Sequence, residues 1–162
     1  VGQARTGDRL ILTGPMGGFY LRPPERPVLM LAGGTGLAPF LSMLASLQTT
    51  GCQHPVHLVY GVTHDDDLVG LDALERFAAS MPFFSFKTVV ASDQSAHPRK
   101  GYVTAHLEDA PIRDGDVDVY LCGPPPMVEA VLGYFREQGI EPRSFHYEKF
   151  TPSRPAAREK VA

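Results

Sequence analysis

Apolar positions along this chain alternate between short continuous runs and helical periodicity. Five runs are rich in β-branched and aromatic residues, and each ends at a turn or a glycine. Runs of this kind predict β-strands. The predicted strands cover residues 28–31, 56–60, 84–90, 117–122 and 144–147.

The segments between these runs predict amphipathic helices. Their apolar faces are formed by Leu37, Leu41, Leu44 and Leu47, then by Leu71, Leu74 and Phe77, and last by Met127, Val131, Leu132 and Phe135. Gly51 and Gly139 are placed to end the first and last helices, and a shorter helix is predicted over residues 103–107. Repeated strand–helix–strand units predict an α/β fold with a five-stranded parallel, doubly wound sheet. Such sheets bind ligands at the carboxyl ends of their strands.

The first 26 residues follow a different pattern. Residues 8–13 and 19–21 predict two short strands around a glycine-rich turn, and residues 22–27 predict an extended linker. Two strands alone are marginally stable, so we expect residues 1–26 to be the end of a β-domain and the chain to be a fragment. Residues 27–150 are the predicted α/β domain, and the polar segment 151–162 is a predicted disordered tail.

Composition narrows the function classes. The chain has 162 residues, 43% hydrophobic and 20% charged, with a net charge of −3, which disfavours a nucleic-acid surface. No apolar run reaches the roughly 20 residues that span a bilayer, and the start has no signal-peptide pattern, so a cytoplasmic protein is expected. Two cysteines and six scattered histidines give no metal-ligand spacing, and no metal site is predicted.

The strongest local motif follows the first predicted strand and opens the first helix. Gly33, Gly34, Thr35 and Gly36 form a turn where a ligand can approach the backbone closely. A helix N-terminus offers free N–H groups and suits a pyrophosphate, although such a turn can also be a plain tight connection. The pattern differs from the common dinucleotide fingerprint because Pro39 replaces its third glycine.

Two further motifs end the fourth and fifth predicted strands. Cys122, Gly123 and Pro124 precede the last helix, and the topological switch point predicts that this loop faces the first glycine turn. Cys122 can equally be a small buried residue that ends a strand. Glu148 and Phe150 lie two residues apart at the end of the last strand, where they border a planar cofactor or simply alternate on an edge strand.

These motifs occur in a family-specific order: GGTGLAP at 33–39, LCGPPPM at 121–127 and YEKF at 147–150. Together they resemble the NAD(P)-binding domain of the ferredoxin–NADP reductase family. The segments HPVHLVYGVT, HPRKGYVTAHL and SFHYEKF resemble in particular the reductase components of benzoate, toluate and anthranilate dioxygenases. Residues 7–22 look like the end of that family's FAD-binding barrel. The resemblance covers about residues 8–150.

The resemblance implies a role for each candidate site residue. Gly33, Gly34, Thr35 and Gly36 are expected to cradle the NADH pyrophosphate, and Cys122, Gly123 and Pro124 to border the nicotinamide. Cys122 and Glu148 are the expected catalytic residues, and Phe150 is the expected aromatic residue beside the flavin. The serine that completes this site, most of the FAD contacts and the [2Fe–2S] cysteines belong to domains that are missing here. The isolated chain is therefore expected to retain little FAD and not to oxidise NADH.

The loop after the third strand is expected to determine the choice between NADH and NADPH. Relatives that use NADPH have an arginine for the 2′-phosphate where Asp93 stands here. A carboxylate repels a phosphate dianion, so the sequence predicts NADH. Asp65, Asp66 and Asp67 make a neighbouring edge acidic, and for them a solvated loop is the preferred interpretation.

The expected function is that of an NADH-dependent oxidoreductase. In the full enzyme, electrons pass from NADH through FAD and [2Fe–2S] to the oxygenase component of an aromatic-ring-hydroxylating dioxygenase. Two alternatives stay open: a reductase for another acceptor, such as a phenol hydroxylase or a flavohaemoglobin-type haem, and a nucleotide-binding module without turnover. A hydrolase is disfavoured because the chain has no G-x-S-x-G motif.

Overall fold

The five apolar runs form one parallel sheet in the computed structural model, which describes residues 5–9, 11, 14, 17–108, 110 and 112–149. The strands are β1 (Val28–Gly33), β2 (Val56–Val62), β3 (Phe84–Val90), β4 (Asp118–Gly123) and β5 (Ser144–Lys149). Their order across the sheet is β3-β2-β1-β4-β5, and all four neighbouring pairs are parallel. The predicted five-stranded, doubly wound α/β architecture is confirmed.

The helices follow the predicted apolar faces. They are α1 (Leu37–Thr50), α2 (Leu71–Ser80) and α3 (Pro125–Glu137), with 3-10 turns at Gly34–Gly36, Asp65–Asp67, Val103–His106 and Arg113–Gly115. Gly51 ends α1 with φ 74°, and its N–H donates to the Leu47 carbonyl at 2.8 Å. Gly139 follows α3 with φ 65°. A positive φ is natural for glycine, so both predicted helix ends are confirmed.

Alternating strand residues form one hydrophobic core on each face of the sheet. On one face, Met30, Leu58 and Tyr60 pack with α1 and α2. On the other face, Leu31 and Leu121 pack with α3 and the turn at 103–106. Every residue of β1 and β4 is buried, as expected for central strands that are covered on both sides. These two strands hold the turns that follow them.

The order of the strands places a topological switch point between β1 and β4. From β1 the chain runs through α1 to β2 and β3 on one side, and it then returns to β4 and β5 on the other. Helices after β1 and β4 therefore leave toward opposite faces. This arrangement opens a crevice at the carboxyl ends of the two strands.

The segment before β1 differs from the prediction. Residues 19–21 form no strand, and within the described part of residues 5–27 no helix or strand occurs. The predicted strand at 8–13 falls partly outside the described residues, and the tail at 151–162 falls wholly outside them. Phe19 instead packs its ring against Phe40 and Tyr120, with centroids 5.8 and 6.1 Å apart. A strand needs a hydrogen-bonded neighbour, whereas an aromatic side chain can be held by packing alone.

Candidate functional site

The turns after β1 and β4 touch through their glycines. A Cβ on Gly36 would collide with the carbonyl oxygen of Cys122. A Cβ on Gly123 would lie 3.3 Å from the Gly33 Cα, and one on Gly33 would lie 2.9 Å from Pro124 Cδ. The two turns therefore adjoin, as the predicted topology requires, and this contact is possible only because these positions carry no side chain.

A cavity of about 870 Å³ opens at this junction. Of the predicted site residues, its walls include Gly33, Gly34, Thr35 and Pro124. Its remaining walls come from the end of β2, the turn at 65–67, the loop before Val103–His106 and the start of α3. The volume lies within the range of about 300 to 1,000 Å³ that is usual for sites of small ligands and cofactors.

One wall of the cavity is a helix N-terminus that no side chain caps. The 3-10 turn Gly34–Gly36 leads directly into α1, and neither element has a side-chain cap. Gly34 has φ 55°, and the space where its Cβ would lie is open. Backbone N–H groups at such a terminus bind anions, and the helix dipole adds to the attraction. The residues present fit a pyrophosphate.

Three cavity residues lie within the family-typical segments but are not among the predicted site residues. Gly61 ends β2, and a Cβ there would lie 2.7 Å from Val103 Cγ1. Tyr102 is 74% exposed and lines the cavity. Met127 lies at the junction of the two turns. For Tyr102, the sequence signal was an aromatic residue directly after a glycine, in a segment that resembles the family.

Cys122 is fully buried and is not in the cavity wall. Its partners in the sheet are Ala32 on β1 and Glu148 on β5, so Cys122 lies between these two strands. Burial raises the pKa of its thiol to about 12, and the negative charge of Glu148 adds to the shift. The group is therefore a neutral thiol near pH 7, suited to a packing contact and not to nucleophilic attack.

Glu148 belongs to a second, smaller cavity of about 350 Å³. Its walls are formed by Gly18, Phe19, Phe145, His146, Tyr147 and Glu148. Cys122 and Glu148 are neighbours in the register of β4 and β5, but Cys122 is buried in the core, whereas Glu148 is exposed at this second cavity. Phe150 lies outside the described residues.

Acidic side chains from the turn at 65–67 line the large cavity. Asp66 and Asp67, for which a solvated loop was preferred, line the cavity. Asp93 lies in the exposed loop after β3 and is not in the cavity wall, and its backbone carbonyl accepts a hydrogen bond from Lys100 Nζ at 3.1 Å. The sequence could not separate these positions because both loops follow neighbouring strands.

The acidic turn is fastened to the loop after β3. Ser95, which is buried, donates its hydroxyl to Asp65 Oδ1 at 2.7 Å and accepts the His97 N–H at 2.9 Å. Asp67 accepts the His64 N–H at 3.0 Å, and its carbonyl accepts the Tyr60 hydroxyl at 3.1 Å. The turn is therefore held in place, while Asp65, Asp66 and Asp67 stay exposed to solvent.

Two negative findings apply to the residues that the structure describes. They contain no cluster of three histidine, cysteine or acidic side chains that would hold a metal ion. Of the helices among them, none has the length and apolar character needed to cross a bilayer.

A family model described as oxidoreductase NAD-binding domain matches residues 30–132. The chain belongs to this family. The NAD-binding domain is 59% identical to the toluate 1,2-dioxygenase electron transfer component of Pseudomonas putida, over 93% of this chain and 45% of that protein. It is 37% identical to the anthranilate 1,2-dioxygenase electron transfer component of Acinetobacter baylyi, over 95% of this chain and 45% of that one. The chain thus spans just under half the length of these relatives.

Solved structures show the same fold. A cytochrome P450 reductase of Amycolatopsis has a TM-score of 0.74 at 36% identity, covering 86% of this chain and 43% of that one. A ferredoxin reductase of a carbazole 1,9a-dioxygenase has a TM-score of 0.69 at 25% identity, covering 85% and 42%. The NAD-binding domain therefore has the ferredoxin reductase-like fold that the sequence predicts.

Proposed function

We propose that this chain is the NADH-binding part of the reductase component of an aromatic-ring-hydroxylating dioxygenase. The proposal is supported by the 59% identity to a toluate dioxygenase electron transfer component. The observation that carries it is the contact between Gly36 and Cys122, which joins the two turns at the base of a cavity of about 870 Å³. A nicotinamide dinucleotide needs a site of this size with an anion-binding end.

The residues divide the dinucleotide between them. The uncapped N-terminus at Gly34–Gly36 stabilises the pyrophosphate through backbone N–H groups and the helix dipole. Tyr102 offers an exposed ring for an aromatic base at the cavity mouth. Gly123 lets the turn after β4 touch Gly33, and Pro124 lines the cavity at this junction, where a flat ring can lie against it.

The chain's own side chains position groups and do not transfer protons. NADH bound at Gly34–Gly36 would supply a hydride, and FAD, held mainly by residues outside this chain, would supply the conversion to the single electrons that a [2Fe–2S] centre and the oxygenase require. Cys122 stays protonated because its pKa is about 12, so it contributes polarisable contact. Glu148 places a carboxylate at the second cavity, beside Phe19 of the segment that resembles the flavin barrel.

Selectivity for NADH over NADPH follows from the cavity rim. Asp66 and Asp67 line the cavity and repel an additional phosphate dianion. Asp93 acts in the same direction from the next loop, where the resemblance places the 2′-phosphate arginine of NADPH enzymes. The proposed cofactors of the full enzyme are therefore NADH, FAD and [2Fe–2S].

Two alternatives remain distinct from this proposal. A reductase for another acceptor shares the fold, as the Amycolatopsis cytochrome P450 reductase shows. The 59% identity to the toluate relative, against 36% to the cytochrome P450 reductase, favours a dioxygenase acceptor. A nucleotide-binding module without turnover would keep the large cavity but would not need a flavin beside Glu148.

Calorimetric titration of the 162-residue chain tests the binding half of the proposal. We expect NADH to bind at least about tenfold more tightly than NADPH, a difference of roughly 1.4 kcal/mol. No binding of either dinucleotide would overturn the proposal. A longer polypeptide that joins this chain to its flavin domain is expected to lose flavin absorbance when NADH is added, and unchanged absorbance would favour the non-catalytic module.

A further inference from the structure

A methionine sulfur fills the notch between the two glycine turns. A Cβ on Gly33 would collide with Met127 Sδ, and one on Gly123 would lie 2.7 Å from the same atom. The thioether therefore occupies the space that the two missing side chains leave. Met127 also lines the large cavity, so its side chain lies at the boundary between this notch and the cavity.

Met127 differs from the other described methionines in its exposure. The sequence contains five methionines. Met30, Met43 and Met81 are 0%, 5% and 2% exposed in the core, whereas Met127 is half-buried against the core and open to the cavity. Met16 lies outside the described residues. Oxidants attack a thioether according to its access to solvent, so among the described methionines Met127 is the one they reach first.

We propose that Met127 is an oxidation site that controls access to the dinucleotide cavity, an inference that rests on the proposed function. The oxidant is hydrogen peroxide. A sulfur lone pair attacks one peroxide oxygen, the O–O bond breaks, and the departing oxygen leaves as water after proton transfer. The thioether loses two electrons to become a sulfoxide, and the peroxide is reduced.

The sulfoxide does not fit the notch. If its oxygen points toward Gly33 and Gly123, it enters a gap so narrow that a Cβ on either glycine would collide with the Met127 sulfur. If it points outward, it places a polar group in the cavity wall near Pro124. Either orientation removes room or apolar contact from the end of the cavity where the two turns meet. Oxidation should therefore weaken dinucleotide binding, and methionine sulfoxide reductases should restore it.

The first measurement locates the oxygen. The 162-residue chain, in a Met16→Leu background, is treated with graded peroxide, and tandem mass spectrometry follows the gain of one oxygen at each methionine. We expect Met127 to react well before Met30, Met43 and Met81. Equal or slower reaction at Met127 would overturn the inference, whatever happens to NADH binding.

The second measurement asks whether that oxidation changes binding. Calorimetry compares the NADH dissociation constant before and after peroxide, with each variant referred to its own untreated sample. We expect a loss of roughly tenfold or more in the Met16→Leu chain and in Met81→Leu, and no peroxide effect in Met127→Leu. Met127→Gln, a polar side chain without a thioether, should bind weakly before treatment and lose nothing further.

Reversal separates methionine from cysteine chemistry. Methionine sulfoxide reductases A and B with dithiothreitol should restore binding, whereas dithiothreitol alone should not. Recovery with dithiothreitol alone would instead assign the effect to a thiol such as the half-buried Cys52 and would overturn the inference. Unchanged NADH affinity after complete oxidation of Met127 would overturn the inference alone. Absence of NADH binding before oxidation would overturn both it and the proposed function.

Discussion

The two cavities of this domain are built from different materials. The large one is shaped by backbone: Gly33, Gly36 and Gly123 let two turns touch, and an uncapped helix N-terminus forms one wall. The small one is shaped by side chains, namely aromatic rings and the titratable groups His146 and Glu148. The shape of the large cavity depends on positions that carry no side chain, and the properties of the small cavity depend on the charge of its side chains.

This difference indicates which part of the site is complete. A backbone-built cavity is fixed once the sheet forms, because β1 and β4 are central, buried strands. The small cavity lies against β5, an edge strand whose last three described residues are exposed. It also borrows a wall from Gly18 and Phe19, in a segment without regular structure. We therefore expect substitutions at the large cavity to alter folding and binding, and substitutions at the small one to alter mainly pH dependence.

The largest expected effect comes from adding one carbon to the contact between the turns. Gly36→Ala places a Cβ against the Cys122 carbonyl oxygen, a backbone atom that cannot turn away. Because the φ of Gly36 is −62°, the penalty is steric and not conformational. We expect a loss of about 3 kcal/mol in the free energy of unfolding, together with loss of NADH binding. Urea denaturation and calorimetry measure the two effects.

Gly133→Ala is the matched control. This glycine lies within α3, and the space around its Cβ is open. Replacement by alanine should stabilise the helix by up to about 1 kcal/mol without changing NADH affinity. Equal behaviour of the two variants would show that the glycine contact does not support the large cavity.

A smaller effect should come from the charges at the rim. Asp66→Asn removes a carboxylate from the cavity wall, and Asp93→Asn removes one from the loop outside it. We expect Asp66→Asn to tighten NADPH binding about fivefold, or roughly 1 kcal/mol, while NADH affinity changes little. The gain should shrink at high salt because exposed charges are screened.

Asp93→Asn distinguishes the two sources of selectivity. A larger gain there than at Asp66 would favour the family resemblance over the cavity geometry. A gain at neither position would show that rim charge does not select the cofactor. Asp93→Arg extends the test, since it supplies a cation where NADPH enzymes of the family carry one, and it should raise NADPH use.

The sequence predicts the sheet well because strand and helix periods are local. The five runs, three helices and terminating glycines follow from spacing alone, and the contact between the turns after β1 and β4 follows from the handedness of crossovers. The family resemblance of the motifs, and not their spacing, supplies the NAD-binding function.

The cavity wall is harder to predict because it is assembled from loops that are distant in sequence. Tyr102 and Met127 carry no periodic signal that marks them as cavity residues. Asp66 lies in an exposed acidic run, and the hydrogen bond between Ser95 and Asp65 that holds its turn joins residues that are distant in sequence. The strand predicted at 19–21 is wrong because alternation indicates an extended chain but does not show whether a neighbouring strand is present to pair with it.

The smallest expected effect concerns the small cavity and its histidine. Arg22 Nη1 donates to His146 Nδ1 at 3.0 Å, and the Arg22 N–H donates to the Tyr120 hydroxyl at 3.1 Å. Burial lowers the pKa of His146, the positive charge of Arg22 lowers it further, and Asp118 opposes the shift. The fold thus favours the neutral imidazole, which can accept a hydrogen bond from the guanidinium. Glu148 is a further carboxylate in the wall of the same cavity.

The sign of the pH dependence follows from that shift. Because the pKa of His146 is lower in the folded chain than in the unfolded one, its contribution is present above about pH 6.5 and is lost as the pH falls through the folded value. Urea denaturation between pH 7 and 5 should show a loss that His146→Gln reduces, by less than about 1 kcal/mol because the pair is close to the surface. His54→Gln, in the turn before β2, is the control and should keep the wild-type slope. If both variants keep that slope, Arg22 and His146 do not couple the N-terminal segment to β5, and the small cavity owes its shape to Phe19 packing instead.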